Sequence, residues 1–323
     1  QPLQPALLQR IIRPDQQTGR LTFMRSILNY DDDSQDADIP ELLSAKTKEL
    51  TVVEEYFLDA TKRLPIEISY DCTAEEPVNW KTLNYTTYAG CFIMHPLRGE
   101  AAKQQMIEAY AHGKTDTAWS DHFLQKLKEG TASKYKKRSD VSPHDIKEHI
   151  ECLVVLAGHN KLAKHTCAGS LVRLHKMFPE HLYYKKHPIS DQTVYDGLFD
   201  HLLSEGVKEI KSFESEYELY DLMAWAGCVA TGFVIESALY AAVEETPLFC
   251  TDLYQNAITA PFYHINWFLF SLENPKHFVD TAFNSYKSGI INPNVDANWE
   301  SKINRYLEHI KGQRKRFGDM YVG

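Results

Sequence analysis

Short apolar runs and amphipathic segments alternate regularly in the second half of the chain. From about residue 150, each apolar run is followed by a segment whose apolar residues recur at helical spacing. The apolar runs predict strands at 152–157, 181–186, 208–213, 228–231 and 247–252. Strands that alternate with helices are typical of a parallel sheet covered by helices on both faces. The pattern therefore predicts a Rossmann-like domain.

The first half is less regular, but it also contains both element types. Its hydrophobic pattern predicts helices at 39–62 and 119–129 and strands at 64–70 and 88–95. A polar, basic stretch before Ser142 and Pro143 marks a boundary, and a long amphipathic segment near the end predicts a terminal helix. The predicted fold class is α/β, with domains at 1–145 and 146–297 and a helix at 298–323.

Composition and charge narrow the class of protein. The chain has 323 residues, of which 43% are hydrophobic and 24% charged, which is ordinary for a globular protein that buries its own core. A net charge of −9 argues against a globally basic nucleic-acid coat protein, although it does not exclude a local basic groove. No apolar run reaches the roughly 18 residues of a membrane span. Six cysteines without a C-x-x-C pair predict reduced thiols and a cytoplasmic protein.

Two lysines end the predicted strand 181–186, and a histidine follows it. Ligands of open α/β sheets bind at the carboxyl ends of the strands, so the loops after the strands are the candidate sites. Lys185, Lys186 and His187 precede Pro188, which prevents the strand from continuing. Two ammonium groups and an imidazole suit a diphosphate. The alternative is that the lysines are solvated and that His187 only caps the strand.

Three further loops carry candidate binding residues. Lys161 and Ser170 lie between strand 152–157 and the next helix, and Gly232 precedes another helix start, where free N–H groups suit an anion. In the segment 213–217, Glu214 or Glu216 is suited to a ribose hydroxyl or a base edge, and Tyr217 ends the segment as a further candidate for the nucleoside. Ordinary helix caps explain these loops about as well, because no glycine fingerprint or P-loop is present.

The order of these segments resembles the nucleotide-binding half of GT-B glycosyltransferases. It comprises a strand, KKHP (185–188), a helix, a strand, SEYELYDLMAWAG (215–227), the strand VATGF (229–233), a helix, and EETPLF (244–249). The closest likeness is to capsule-polymer transferases and sialyltransferases with a histidine-proline motif, over about residues 150–255. The resemblance implies two Rossmann-like domains, a nucleotide-sugar donor bound by the second, and a C-terminal helix that crosses back to the first.

The resemblance also implies roles for individual residues. His187 would contact the donor phosphate with Lys185 or Lys186 nearby, and Thr231 and Ser237 would lie near the phosphates of the leaving nucleotide. Such families often carry a glutamate further into the last helix, where this chain has Tyr240-Ala241-Ala242. Glu236, one turn earlier, is then the candidate for the nucleoside. Because that glutamate is missing, a nucleotide-binding module without catalysis is an alternative function. A structural α/β protein whose loops bind nothing is a third alternative.

The implied reaction transfers a sugar from a nucleotide-sugar to a hydroxyl without a metal or other cofactor. Helix N-termini, histidine and lysine would stabilise the charge on the leaving phosphate, and the sequence has no zinc-type ligand spacing. The acceptor hydroxyl needs a base, for which His95 is the best candidate, with Asp121 and His122 as weaker ones. A packed histidine at a strand end explains His95 equally well.

Two acceptors are consistent with the resemblance. A glycan, either a polysaccharide or a lipid-linked one, is the first. A hydroxymethylated base in DNA is the second, because some phage DNA glycosyltransferases share this fold. It would require the basic clusters 134–138 and 313–317 to bind DNA phosphates, and the target base would have to be flipped out.

Overall fold

The computed structural model divides the chain into two compact units. It describes residues 48–62, 64–70, 82–96, 99–132, 146–188, 190, 192–213, 217–252 and 262–318. Of these, 146–241 and 246–252 form one unit, here called the parallel-sheet unit. Residues 48–132, 242–245 and 262–318 form the other, the mixed-sheet unit. These limits differ from the expected ones, because residues 262–297 group with the first half of the chain and not with the second.

The helices and strands are numbered here in chain order. The first described part contains α1 (Lys48–Thr61), β1 (Glu67–Tyr70), β2 (Thr82–Tyr88), β3 (Cys91–Pro96), α2 (Gly99–His112) and α3 (Ala118–Lys128). The central part contains β4 (Ile150–Val155), α4 (His159–Leu162), α5 (Ala168–Met177), β5 (Leu182–Lys185), a 3-10 turn (Gln192–Tyr195), α6 (Asp196–Ser204), β6 (Lys211–Phe213), α7 (Leu219–Trp225), β7 (Ala226–Thr231), α8 (Ser237–Val243) and β8 (Leu248–Cys250). The last part contains α9 (Tyr263–Ser271), α10 (Pro275–Phe278), a π-helical turn (Val279–Phe283), a 3-10 turn (Tyr286–Ser288), β9 (Ile290–Ile291) and α11 (Trp299–Gly318).

The parallel-sheet unit confirms the predicted alternation of strands and helices. Its five strands are all parallel, in the order β6-β5-β4-β7-β8. The central strands are near-continuous apolar runs because both of their faces are covered by helices. Cys152, Val154 and Tyr184 of the sheet pack with Leu198 and Leu202 of α6 in one buried core.

The strand order creates a switch point between β4 and β7. The chain adds β5 and then β6 on one side of β4, and it returns to place β7 and β8 on the other side. At such a point, the loops that leave the two central strands diverge and open a crevice at the carboxyl edge of the sheet. The loops that follow β4 and β7 therefore line the position where an open α/β sheet binds ligands.

The mixed-sheet unit is built differently from the second Rossmann-like domain that the resemblance implies. Its strand order is β1-β2-β3-β9, in which only β1 and β2 run parallel. The predicted strand 88–95 is divided by a two-residue turn at Ala89 and Gly90, with φ values of 51° and 78°. Two positive φ angles are those of a type I′ turn, which matches the twist of a hairpin. Two Rossmann-like domains are therefore not confirmed.

The terminal helix packs against the first helix of the same unit. The amide Nδ2 of Asn304 in α11 donates to Oη of Tyr56 in α1 at 2.8 Å, and the rings of Tyr56 and Trp299 meet edge to face at 5.3 Å. Phe57 of α1 and Tyr306 of α11 share one buried core with the sheet. None of the helices in the described ranges combines the length and the apolar character that crossing a membrane requires.

Candidate functional site

The lysines and the histidine that follow β5 lie at the carboxyl edge of the parallel sheet. Lys185 ends the strand and is only 4% exposed, and Lys186 and His187 are half-buried. The Nζ of Lys186 lies 5.9 Å from the ring centre of Tyr195 and 5.4 Å from that of Phe199, so this ammonium group faces aromatic rings. The three residues therefore differ in environment, and Lys185 is the cation most removed from water.

Tyr195 connects the loops that follow β4 and β5. Its buried hydroxyl accepts the backbone N–H of His187 at 3.1 Å and donates to the carbonyl of Ala157 at 3.0 Å. The Nδ1 of His187 lies 3.5 Å from Oγ of Ser190. Tyr195 is not among the residues predicted from sequence, because a tyrosine at the end of a polar segment carries no signal of this bridging role.

Thr231 and Gly232 occupy the switch point, but both are required by the packing of the sheet. The buried Thr231 hydroxyl donates to the carbonyl of Val155 at 3.5 Å, across the β4–β7 pair. A Cβ added at Gly232 would lie 3.0 Å from the carbonyl oxygen of His165. Close approach of the loop after β4 thus explains the glycine, for which the sequence alone predicts the close approach of a ligand.

A buried histidine–aspartate pair lies beside Gly232. The Nδ1 of His165 is 3.2 Å from Oδ2 of Asp252, with 4% and 0% of the two side chains exposed. The same oxygen accepts the backbone N–H of Phe233 at 3.4 Å. Neither His165 nor Asp252 is among the sequence-predicted site residues. They are 87 residues apart, and only the strand order brings the loops after β4, β7 and β8 together.

Ser237 is a buried hydroxyl at the start of α8. It is 1% exposed, and its Oγ has no hydrogen-bond partner within the described residues. A buried polar group without a partner costs roughly 1–3 kcal/mol. Ser237 therefore offers a hydrogen bond that a ligand oxygen would satisfy. Glu236, which precedes it, is half-buried.

The other predicted residues of this unit are more dispersed. Lys161 lies on the short helix α4 and is half-buried, and Ser170 accepts a hydrogen bond from Nη2 of Arg173 at 3.2 Å. The ring of Tyr217 packs 5.2 Å from that of Phe213, the last residue of β6. Glu214 lies outside the described residues. Tyr217 therefore extends an aromatic surface at the edge of the sheet, as a base-stacking residue would.

His95 belongs to the mixed-sheet unit, where both of its ring nitrogens are engaged. Its Nδ1 is 2.8 Å from the carbonyl oxygen of Pro96, which only accepts, so Nδ1 carries the proton. Its Nε2 accepts from the amide of Asn84 at 3.1 Å, and the ring of His264 lies 4.4 Å away. His95 is thus a packed strand-end histidine that offers no lone pair to an acceptor hydroxyl in this arrangement.

The weaker base candidates are engaged as well. The hydroxyl of Thr117 donates to Oδ2 of Asp121 at 2.8 Å, and Nε2 of His122 is 3.0 Å from the amide of Asn292. Burial lowers the pKa of His122, an effect to which the nearby Lys126 ammonium adds. Within the described ranges, no group of three or more histidine, cysteine, aspartate or glutamate side chains is arranged to hold a metal ion.

No protein-family model, no curated protein and no solved structure matches this chain.

Proposed function

We propose that this protein is a metal-independent glycosyltransferase whose parallel-sheet unit binds a nucleotide-sugar donor. One observation carries the proposal: the switch point between β4 and β7 lies at the carboxyl edge of a parallel sheet, where β5, the other neighbour of β4, ends at Lys185 and is followed by Lys186 and His187. Ligands of open α/β sheets bind at such points. A nucleoside phosphate is the ligand class that this arrangement suits best.

The charges at this edge support the chemistry of transfer. When the bond between sugar and phosphate breaks, negative charge develops on the leaving nucleotide, and fixed cations and hydrogen-bond donors stabilise it. Lys185 is almost fully buried, and cations of low exposure interact more strongly with an anion than solvated ones do. The hydroxyl of Ser237, which has no hydrogen-bond partner in the part of the chain that the structure describes, is a second donor.

We also assign a role to each unit within this proposal. The parallel-sheet unit is the donor domain of a GT-B-like enzyme, and the mixed-sheet unit is the acceptor-binding domain. The acceptor is the hydroxyl of a glycan. A hydroxymethylated DNA base is the alternative acceptor, and the net charge of −9 weighs against it because DNA phosphates are bound by basic surfaces. The six cysteines, without a C-x-x-C pair, support a cytoplasmic location.

A nucleotide-binding module without catalysis is the second candidate. The observation that favours it is the state of His95, whose two ring nitrogens are both engaged. Both candidates require that a nucleotide binds, and only the enzyme breaks the sugar–phosphate bond.

The first experiment is a thermal-shift measurement with UDP, GDP, CMP and ADP. A nucleotide present at about 100 times its Kd stabilises the folded protein by about 2.7 kcal/mol, which corresponds to several degrees. His187→Ala should abolish the shift, and His149→Gln, a change at a largely exposed histidine before β4, should not. Release of the nucleotide from the matching nucleotide-sugar then separates the enzyme from the binding module. If no nucleotide raises the melting temperature, the proposal is wrong.

A further inference from the structure

His165 lies where a ligand of the switch point would bind. It belongs to the loop after β4, and its carbonyl oxygen is the nearest neighbour that a Cβ at Gly232 would meet. The loops are tied together by backbone hydrogen bonds from Cys167 to Thr251 at 2.8 Å and from Thr251 to Thr231 at 2.9 Å. The imidazole is therefore held at the junction of the loops that follow β4, β7 and β8.

Asp252 sets the tautomer of this imidazole. A carboxylate only accepts hydrogen bonds, so the contact of 3.2 Å between Oδ2 and Nδ1 places a proton on Nδ1. In the neutral ring, Nε2 then keeps its lone pair. No hydrogen bond joins Nε2 to another side chain or backbone group of the described residues. The N–H of Phe233 holds Asp252 in place.

His165 thus has the feature that His95 lacks. One nitrogen of His165 is fixed by a carboxylate and the other is open to a proton, whereas both nitrogens of His95 are engaged. A histidine oriented in this way by a buried carboxylate is the arrangement that general-base catalysis requires. The low exposure of both side chains also keeps bulk water away from the pair.

We propose that His165 is the general base of the reaction and that Asp252 positions it. This inference rests on the proposed function. The acceptor hydroxyl gives its proton to Nε2 while its oxygen forms a bond to the anomeric carbon of the donor sugar. The bond from that carbon to the phosphate oxygen breaks, and the nucleotide leaves with the electron pair. The imidazolium is stabilised by the Asp252 carboxylate and returns its proton to solvent.

The test uses the full chain and the nucleotide-sugar whose nucleotide gives the largest thermal shift, with water as the acceptor. Nucleotide release should fall at least ~100-fold in both His165→Ala and His165→Gln, because a positioned base contributes at least that factor. The thermal shift caused by the free nucleotide should be unchanged in both variants. The control is His149→Gln, which changes an exposed histidine that precedes β4 and should keep the wild-type rate.

Asp252→Asn tests the positioning role separately. The amide oxygen would take the place of Oδ2, where it still accepts from Nδ1 and from the N–H of Phe233, so the tautomer is kept but the negative charge that stabilises the imidazolium is lost. We expect kcat to fall at least ~10-fold with the KM for the donor unchanged. A residue that only maintained the fold would change the KM, or the melting temperature of the unliganded protein, together with kcat.

Each other outcome overturns the inference in a recognisable way. If the wild type releases nucleotide and the His165 variants do so within about threefold, the base lies elsewhere and the proposed function stands. If the variants lose the nucleotide-induced shift together with activity, His165 holds the nucleotide or the loop and is not the base. If the wild type is stabilised by no nucleotide, the proposed function fails and the inference with it. If both unliganded His165 variants have melting temperatures well below that of the wild type, their loss of activity does not identify the base. Asp252→Asn then decides, and an unchanged kcat in that variant overturns the inference.

Discussion

Removal of the Tyr195 hydroxyl tests whether the loops after β4 and β5 form one binding edge. Tyr195→Phe keeps the buried ring and leaves two backbone groups without their partner, the carbonyl of Ala157 and the N–H of His187. Each buried orphan costs roughly 1–3 kcal/mol. Ala157 is fully buried and His187 is half-buried, so we take the lower end for each and expect a loss of about 2 kcal/mol in total.

The loss of stability should be confined to the loops after β4 and β5, and hydrogen exchange measures the opening of individual amides in these loops. A loss of about 2 kcal/mol raises the open fraction of the loops roughly 30-fold, because each 1.4 kcal/mol is a factor of ten. The amide of Leu156, which donates to the carbonyl of Lys185 at 3.0 Å, lies between the two loops and should exchange faster by about that factor. The nucleotide-induced thermal shift should fall as well.

Tyr184→Phe is the matched control. Tyr184 is also fully buried in the parallel-sheet unit, but its hydroxyl meets the half-buried His175, with Oη 2.9 Å from Nε2. This change should cost about 1 kcal/mol and should leave both the exchange of Leu156 and the nucleotide-induced shift unchanged. Equal exchange at Leu156 in Tyr195→Phe and in the wild type would refute the reasoning, as would an equal effect of the control.

Three further predictions concern stability. Gly232→Ala should lower the melting temperature by an amount equivalent to about 1–3 kcal/mol, because the added Cβ would lie 3.0 Å from the carbonyl oxygen of His165. Gly312→Ala, in open space on α11, is the control and should raise the melting temperature. Burial, with a neighbouring imidazole, holds the pKa of His264 well below 6.5 in the folded state, so the unfolded chain binds more protons. Stability should therefore fall as the pH drops below about 6.5, and the slope of melting temperature against pH should be smaller in His264→Phe. Lys302→Met should cost about 3–5 kcal/mol in urea unfolding, because it leaves Asp296 buried without its ion-pair partner at 2.8 Å, and adding Asp296→Asn should restore much of the loss.

The regular half of the fold could be predicted because its signals are local. The central strands β4 and β7 are mostly apolar, and the predicted segments 152–157 and 181–186 overlap β4 and β5. The mixed-sheet unit lacks such signals. Strand β2 is the polar sequence TLNYTTY, and its hairpin turn is Ala89-Gly90, which does not have the usual asparagine or aspartate before glycine. Strand β9 has only two residues and pairs with β3 across about two hundred positions of sequence.

The residues of the candidate site show the same difference between local and non-local signals. Lys185 and His187 could be chosen from sequence because they lie where a predicted strand ends, which the local pattern sets, whereas the choice of Ser237 depends on the resemblance. The partners that decide what a histidine can do are not local. Asn84 faces His95 only because β2 and β3 pair in that register, and Asp252 meets His165 only because β4 and β8 both flank β7 in the sheet. His95, the histidine preferred from sequence, is engaged at both ring nitrogens, and His165 is held at one. The better candidate for the base is therefore His165, at the carboxyl edge of the parallel sheet and in the same unit as Lys185 and Ser237.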